Sequence, residues 1–241
     1  AAMAITDSDQ QRRERLRWAI RGEGRQRLRN LLGLAQNIKP IADAGEDWDA
    51  DGWLLGVPNG VLDLRTGQLR DGIPEDGITM CTAVPFDATA KCPLWDKTIQ
   101  EIFDDRLDLL EYFDRLVGYS LSGDCREEVL ALCWGGGANG KGTAMNTIAW
   151  LLGDYADDLP FSALELHERS GIPNDIAKIV GKRFVTSSET GETRRLNEAR
   201  VKALTGRDPI TARFLHREYF TFQPVAKFWL ATNQKPIVRD T

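Results

Sequence analysis

A glycine-rich loop with one lysine is the stretch of this 241-residue chain whose residue types most directly suggest chemistry. Residues 135–143 read GGGANGKGT, so two glycines bracket four residues and a lysine follows, as at the front of a phosphate-binding P-loop. Glycines let successive N–H groups curl around an anion, and the lysine ammonium adds positive charge. The residues expected to bind a nucleotide are Gly135, Gly137, Asn139, Gly140, Lys141, Gly142 and Thr143.

The sequence on either side of the loop favours the strand–loop–helix order of a P-loop. Residues 129–134 form an apolar run short enough for a buried strand, and residues 143–152 are apolar enough for a helix. One position departs from the pattern, because Gly142 stands where a P-loop carries a Ser or Thr ligand of Mg²⁺. Thr143 is therefore the candidate magnesium ligand. A glycine-rich turn without any ligand is the alternative interpretation.

Two later predicted strands end in polar residues, Glu189 after residues 183–188 and Asn233 after residues 227–232. Ligands of open α/β sheets lie beyond the carboxyl ends of the strands, so we expect both side chains to share a site with Lys141. Glu189 could polarise a water molecule or hold Mg²⁺ through water, and Asn233 could orient that water or contact the γ-phosphate. A surface carboxylate and a strand-ending turn residue are the alternatives. Lys141, Glu189 and Asn233 form the candidate catalytic set.

Composition limits the classes of protein that this chain can represent. The hydrophobic content of 42% and charged content of 28% are ordinary for a globular domain, and the net charge is −5. No apolar run approaches the roughly 20 residues that a membrane-spanning helix needs. None of the four cysteines pairs at the two-residue spacing of a zinc knuckle, so we expect free thiols in the reducing cytoplasm.

The N-terminal region is locally basic in spite of the acidic total. Residues 12–29 contain eight arginines and several large apolar residues, which predicts one or two helices broken near residues 22–24. Such a helix can bind nucleic acid, or it can be a solvated face that pairs with acidic neighbours. Both interpretations stay open.

The rest of the chain predicts mixed helices and short strands. Turn signals at Asn59-Gly60 and Thr66-Gly67 indicate small hairpins, and apolar residues at three- and four-residue steps predict a helical region over 95–121. Asn197 is a plausible cap for a helix over 197–204. The remaining predictions are a connector over 153–173, a short helix over 174–180 and a hairpin with a charged tip over 210–222.

Several stretches together resemble the helicase part of phage and plasmid primase–helicases, within the superfamily 3 helicases of the AAA+ type. They are VPNGVLDLRTG (57–67), GYSLSG (118–123), GANGK (137–141), SET (188–190), VKALTGRD (201–208) and ATNQKP (231–236). The resemblance implies an α/β fold class, with a helical N-terminal region carrying small β-hairpins, residues 1–125. It implies that residues 126–241 are an AAA+ type P-loop ATPase core, incomplete at the C-terminus. Hexameric rings and ATP-driven movement along single-stranded DNA are further implications.

The resemblance also implies roles for individual residues. Gly135, Gly140, Lys141 and Thr143 match the Walker A motif, Glu189 the Walker B acid, and Asn233 the sensor that follows the next strand. Residues 211–220 resemble the hairpin that follows DNA phosphates in the ring channel. An ordinary charged turn is the alternative for that hairpin. The candidate DNA contacts are Lys202, Arg213, His216 and Arg217.

Two departures qualify what the resemblance implies. Ser188 stands where many Walker B motifs carry a first acid, and the chain ends at Thr241, before the arginines that act across subunit interfaces in that family. We expect a fragment of an ATP-dependent DNA helicase or translocase from a phage or plasmid replication protein. This fragment would bind nucleotide with weak or absent ATPase activity.

The expected setting is the cytoplasm of a bacterial host, with ATP and Mg²⁺ as cofactors and no membrane association. Single-stranded DNA is the expected partner, and the full-length protein is expected to form a homo-hexamer. The alternative function is a non-hydrolysing DNA-binding and ring-assembly module with a degenerate P-loop, as Gly142 would suggest. A small-molecule kinase is disfavoured because no second substrate site is evident.

Overall fold

The computed structural model describes residues 9–22, 24–39, 45, 47–166, 174–188, 195–215 and 217–235. The chain divides into two compact units, residues 1–47 and 48–241. Glu189 and His216, two of the predicted site residues, lie outside the described residues. The assignment of residues 1–125 and 126–241 to two functional regions stays a prediction.

The first unit contains two helices, α1 (Asp9–Gly22) and α2 (Arg25–Ala35), which confirms the predicted break. Gly24 has an extended backbone (φ −60°, ψ 129°) at the N-cap of α2, so the helical path is interrupted there. Helix α2 has no buried residue, and the described side chains of α1 are exposed as well. This unit therefore presents its apolar and its basic residues to the surface.

The second unit begins with a small antiparallel sheet in the order β1–β2–β3. Its strands are β1 (Leu54–Val57), β2 (Gly60–Asp63) and β3 (Gln68–Arg70). Gly60 has φ +143°, and a Cβ there would lie 2.3 Å from the carbonyl oxygen of Arg70. Only glycine fits this hairpin, which confirms the turn predicted at Asn59-Gly60.

Two helices follow the small sheet, α3 (Pro93–Ile102) and α4 (Leu107–Leu121). The single helical region predicted over 95–121 is therefore interrupted. Asp104 and Asp105 adopt left-handed backbone angles (φ 52° and 53°), which an α-helix cannot contain. The periodic apolar residues indicated the buried faces of both helices, but they carried no signal for the break.

The main sheet is parallel and has the order β4–β9–β6–β5. Its strands are β4 (Leu130–Trp134), β5 (Ala156–Asp158), β6 (Phe184–Ser188) and β9 (Lys227–Thr232). Helix α5 (Lys141–Leu152) follows β4, and α6 (Glu198–Thr205) follows β6. The short helix predicted over 174–180 is a 3₁₀ helix over Asn174–Ile179. Mixed helices and a parallel sheet confirm the predicted α/β class.

A separate two-stranded antiparallel hairpin is formed by β7 (Ile210–Ala212) and β8 (Phe220–Phe222). It confirms the hairpin predicted over 210–222. Strand β5 was missed, because it lies in the stretch interpreted as a connector and contains two acids, Asp157 and Asp158.

The core of the second unit lies on both faces of the main sheet. On one face Phe184 and Trp229 pack with Phe113 of α4 and Ile148 of α5. Trp229 meets Phe113 edge-on, with ring centroids 5.9 Å apart. The other face buries a second cluster that includes Val185, Phe228, Leu230, Leu164, Ile179 and Leu204. Sheet residues alternate between the two clusters, as strand geometry dictates.

Tyr155 and Arg183 fasten the small sheet to the main one. The Tyr155 hydroxyl accepts a hydrogen bond from Gly56 N (2.8 Å) and donates to the Met80 carbonyl (3.0 Å). Arg183 donates to the carbonyls of Leu54 (2.7 Å) and Leu121 (2.8 Å), and burial lowers its pKa. Residues 48–125 and the main sheet therefore belong to one compact unit.

Candidate nucleotide-binding site

The glycine-rich loop connects β4 to the N-terminus of α5. Ala138 and Gly140 adopt left-handed angles (φ 57° and 81°), and the helix begins at Lys141, two residues earlier than predicted. A Cβ on Gly140 would lie 2.6 Å from the Cδ1 atom of Ile102 in α3. Gly140 is therefore required both by its backbone angle and by its contact with α3. Residues 136–139 are exposed.

The Lys141 ammonium is anchored by the loop that precedes it. It donates to the carbonyl oxygen of Gly135 (2.7 Å), to that of Gly136 (3.1 Å) and to Oδ1 of Asn139 (2.9 Å). Gly135 leaves room for this arrangement, because a Cβ there would lie 2.4 Å from the Asn139 amide nitrogen. The positive charge is thus held at the centre of the loop.

The backbone amides around Lys141 are arranged for an anion. Gly135 N donates to the Thr232 carbonyl (3.3 Å), and the next bonded amide is Ala144 N, which donates to the Gly140 carbonyl (2.9 Å). Among the residues that the structure describes, the N–H groups of residues 136–143 have no hydrogen-bond partner. A helix N-terminus with unpaired N–H groups attracts negative charge. The loop can therefore bind a phosphate-sized anion.

Asn233 reaches this loop from the neighbouring strand. Strand β9 lies between β4 and β6, and the Thr232 hydroxyl hydrogen bonds with the backbone of Gln234 to form a turn after the strand. This turn leaves Asn233 exposed, with its Oδ1 atom 3.3 Å from the Lys141 ammonium nitrogen. The structure therefore brings Lys141 and Asn233 together.

Strand β6 ends at the same edge of the sheet. Its last residue, Ser188, is exposed and pairs in register with Ala231, which in turn pairs with Cys133 of β4. Glu189 follows Ser188 in the sequence, but it lies outside the described residues. Its role as a catalytic acid and metal ligand stays a prediction.

The described residues supply neutral oxygen donors for a magnesium ion. Thr143 is exposed in the first turn of α5, and its carbonyl accepts from the Thr147 hydroxyl (2.8 Å). A Cβ on Gly142 would meet no atom within 4 Å. No group of three His, Cys, Asp or Glu side chains in the described part of the chain could hold a metal. Glu189 is the carboxylate ligand that the sequence predicts.

A cavity of about 430 Å³ adjoins the loop, and the sequence did not predict it. Lys141 and Asn139 line it together with aliphatic residues and with aromatic side chains that include Tyr112 and Trp134. Burial raises the pKa of the Cys133 thiol in its wall to about 11, against the opposing charge of Lys141. The cavity is thus lined mostly by apolar side chains, with Asp104, Asn139 and Lys141 as its polar residues. Trp134, directly before the loop, was the one signal that could have indicated it.

The predicted DNA contacts lie away from the loop in the sequence. Arg213 and Arg217 are exposed in the connection between β7 and β8, and the Arg213 guanidinium lies 4.9 Å from the Tyr219 ring centroid. Phe214 stacks on Phe220 with centroids 5.6 Å apart, which supports the base of this connection. Lys202 is exposed on α6, and His216 is outside the described residues. Their DNA-binding roles stay predictions.

Two known families match different parts of the chain. Residues 2–104 match the family described as D5 N terminal like. Residues 133–241, which include the glycine-rich loop and Asn233, match a family described as a family of unknown function, DUF5906.

Relatives of the chain occur in large DNA viruses. A protein of Acanthamoeba polyphaga mimivirus named putative helicase is 31% identical over 215 residues, which are 84% of this chain and 22% of that protein. A protein of African swine fever virus named putative primase is 32% identical over 209 residues, 80% of this chain and 21% of that protein. The chain thus spans about a fifth of the relatives that it matches.

A solved structure supports the fold. The apo C-terminal region of NrS-1 matches with a TM-score of 0.50 and 13% sequence identity, over 61% of this chain and 34% of that one. Together with the family matches, these similarities support a relationship with viral primase–helicase proteins. The bacterial host and the phage or plasmid origin expected from the sequence have no support from these relatives. No helix among the described residues is long and apolar enough to cross a bilayer.

Proposed function

We propose that this chain binds ATP with Mg²⁺ at the loop of residues 135–143 and serves as the motor part of a replicative DNA helicase. The observation that carries the proposal is the setting of Lys141, whose ammonium contacts Asn233 from the adjacent strand and belongs to a loop with unpaired N–H groups. A fixed positive charge in a loop with free amides is suited to bind phosphate. The contact of Lys141 with Asn233 would let the second strand respond to the presence of the terminal phosphate.

The nucleotide would occupy two adjoining regions. Its phosphates would take the amides of the loop and the Lys141 ammonium. Its base and ribose would enter the cavity beside Asn139, where Tyr112 offers an aromatic surface and the Lys235 ammonium lies 4.6 Å from the centroid of the Trp134 ring. Mg²⁺, when bound, neutralises developing charge on the phosphates. Thr143 would be its protein ligand, and Glu189 would act on it through water.

The proposed partner is single-stranded DNA, bound through the β7–β8 hairpin. Arg213 and Arg217 are exposed at its tip, and phosphate contacts need clustered cations even in an acidic protein. Lys202 and His216 are further proposed contacts. We propose that the whole protein acts as a homo-hexamer with an AAA+ type core, as the superfamily 3 resemblance implies.

Calorimetric titration of ATP with excess Mg²⁺, and again with EDTA, tests the proposal. We expect wild-type protein to bind ATP more tightly with Mg²⁺ than with EDTA. We expect Lys141→Ala to lose at least about tenfold in ATP affinity, because charge-assisted hydrogen bonds to phosphate are strong. Thermal unfolding of both proteins controls for folding.

The second candidate function is a DNA-binding and ring-assembly module that does not hydrolyse ATP. Gly142 favours it, because the hydroxyl that usually meets Mg²⁺ is missing at that position. The same titration separates the two candidates. The second candidate function is correct if ATP binds equally to wild-type protein and to Lys141→Ala while DNA binding persists in both.

A further inference from the structure

The helical pair α1–α2 carries an exposed cleft that the nucleotide site and the β7–β8 hairpin do not use. The cleft has a volume of about 290 Å³ and is lined by Glu14, Arg17, Trp18 and Arg27. Arg17 and Trp18 follow Glu14 by three and four residues, so both lie beside it on α1, and Arg27 comes from α2. The cleft therefore combines one flat aromatic ring, two guanidinium groups and one carboxylate.

Trp18 is left exposed by the helical pair that carries it. Its exposed fraction is 72%, which is high for the largest apolar side chain in a helix. Arg17 and Arg27 are exposed too, and neither forms an ion pair with a described acidic residue of the helical pair. Described acidic residues of the helical pair itself therefore do not account for these two arginines.

The net positive charge of the helical pair indicates which kind of ligand the cleft can bind. Helices α1 and α2, with the two residues between them, contain eight arginines against Asp9, Glu14 and Glu23. The whole chain has a net charge of −5, so the rest of it is strongly acidic. A polyanion complements this concentration of positive charge, and an exposed indole adds a surface on which an unpaired base can stack.

We propose that the α1–α2 cleft is a binding site for single-stranded DNA, in which a base stacks on Trp18 and the flanking phosphates bind Arg17 and Arg27. Single strands are favoured over duplex because only an unpaired base exposes its flat face to Trp18. The Glu14 carboxylate repels the phosphates and lowers the affinity for DNA. The proposed site includes no residue of the nucleotide loop and neither of the hairpin arginines.

Fluorescence anisotropy of the full chain with a labelled 20-nucleotide oligo(dT), at several salt concentrations, tests this inference. We expect Trp18→Ala to lower the affinity about fivefold or more with an unchanged salt slope, and Trp18→Phe to retain most of it. Arg17→Ala/Arg27→Ala should lower both the affinity and the salt slope, the slope by about 0.7 for each phosphate that is no longer neutralised. Glu14→Gln should raise the affinity.

The β7–β8 hairpin variant Arg213→Ala/Arg217→Ala, measured in parallel, distinguishes this inference from the proposed function. If Trp18→Ala or Arg17→Ala/Arg27→Ala binds oligo(dT) like wild-type protein, the cleft is not a DNA site, whatever the hairpin variant does. Equal affinity of wild-type protein for the oligonucleotide and for its duplex would also overturn the inference. All substituted side chains are exposed, and helix content by circular dichroism verifies that each variant is folded.

Discussion

At the scale of single residues, the loop holds the Lys141 ammonium firmly but lacks the side chain that usually binds Mg²⁺ after the lysine. Lys141 is held by the carbonyls of Gly135 and Gly136, whereas Gly142 offers no side chain at the position after the lysine. The open space at Gly142 means that the absence of a hydroxyl is not imposed by packing. A hydroxyl can therefore be restored there as an experiment.

We predict that Gly142→Ser strengthens the dependence of ATP binding on Mg²⁺. A serine hydroxyl after Lys141 would add a direct ligand, and the affinity ratio with and without Mg²⁺ should rise about two- to tenfold, the worth of one polar interaction. Gly142→Ala is the matched control, since it makes the same backbone change without the hydroxyl. Equal ratios for the two variants would show that Mg²⁺ does not approach this position.

Gly140 should tolerate substitution far less well than Gly142. Its left-handed backbone and the 2.6 Å approach of Ile102 to a Cβ both oppose a side chain. Gly140→Ala should lower the free energy of unfolding by about 1–3 kcal/mol in urea titrations. Gly142→Ala lies in a helix with open space and should be neutral or stabilising. Equal stability of the two variants would contradict the described loop geometry.

At the scale of elements, strong local signals made several structures predictable. Asn197 caps α6 as expected, with its Oδ1 accepting from Arg200 N (3.0 Å). Gly60 was predictable as a turn residue because the backbone angles that glycine permits, like a side-chain cap, act within a few residues of the chain. The break after α3 and the strand β5 were not predictable. Both depend on packing partners that are distant in sequence.

The β7–β8 hairpin carries the element-scale prediction. Arg213→Ala/Arg217→Ala should weaken binding of single-stranded DNA to a similar degree for all sequences, because phosphate contacts do not read bases. The salt slope should fall by about 1.4 in total. Arg106→Ala/Arg115→Ala is the control, since it removes the same charge from exposed positions on α4 and its N-cap. If both variants weaken binding equally, the hairpin has no special role.

At the scale of the whole molecule, the sheet order that brings Asn233 to Lys141 could not be predicted from local sequence. The sequence indicated that polar residues end the later strands, but not that β9 lies beside β4. That order arises from packing of both sheet faces, with Trp229 buried on one side and Leu230 on the other. The candidate site was therefore predictable as a set of residues and not as an arrangement.

Lys227 joins the main sheet to the end of α4 and gives the fold a pH dependence. Its ammonium donates to the carbonyls of Ser122, Asp124 (3.2 Å) and Val225 (3.1 Å). Burial is the main cause that lowers its pKa to about 8. Between this value and the ordinary value of 10.5, the unfolded chain binds the additional proton. Stability should therefore rise with pH in that window.

We predict that the free energy of unfolding in urea rises by about 1 kcal/mol between pH 8 and pH 9 through Lys227 alone. Burial raises the pKa of Cys125 and of Cys133, and both thiols contribute with the opposite sign as the pH approaches and passes their ordinary value of 9.0. Lys227→Met isolates the lysine, because it removes the titration while it keeps an apolar stem. The same pH dependence in wild-type protein and Lys227→Met would show that the lysine titrates normally.

The central claim is that Lys141 and Asn233 form one phosphate site, and a double-mutant cycle on ATP affinity in Mg²⁺ tests it most directly. We predict that Lys141→Ala lowers the affinity at least about tenfold and that Asn233→Ala lowers it less. We further predict that their effects couple by about 0.5–3 kcal/mol, as for residues in direct contact. ATP affinity unchanged in Lys141→Ala, or strictly additive effects of the two substitutions, would contradict the account.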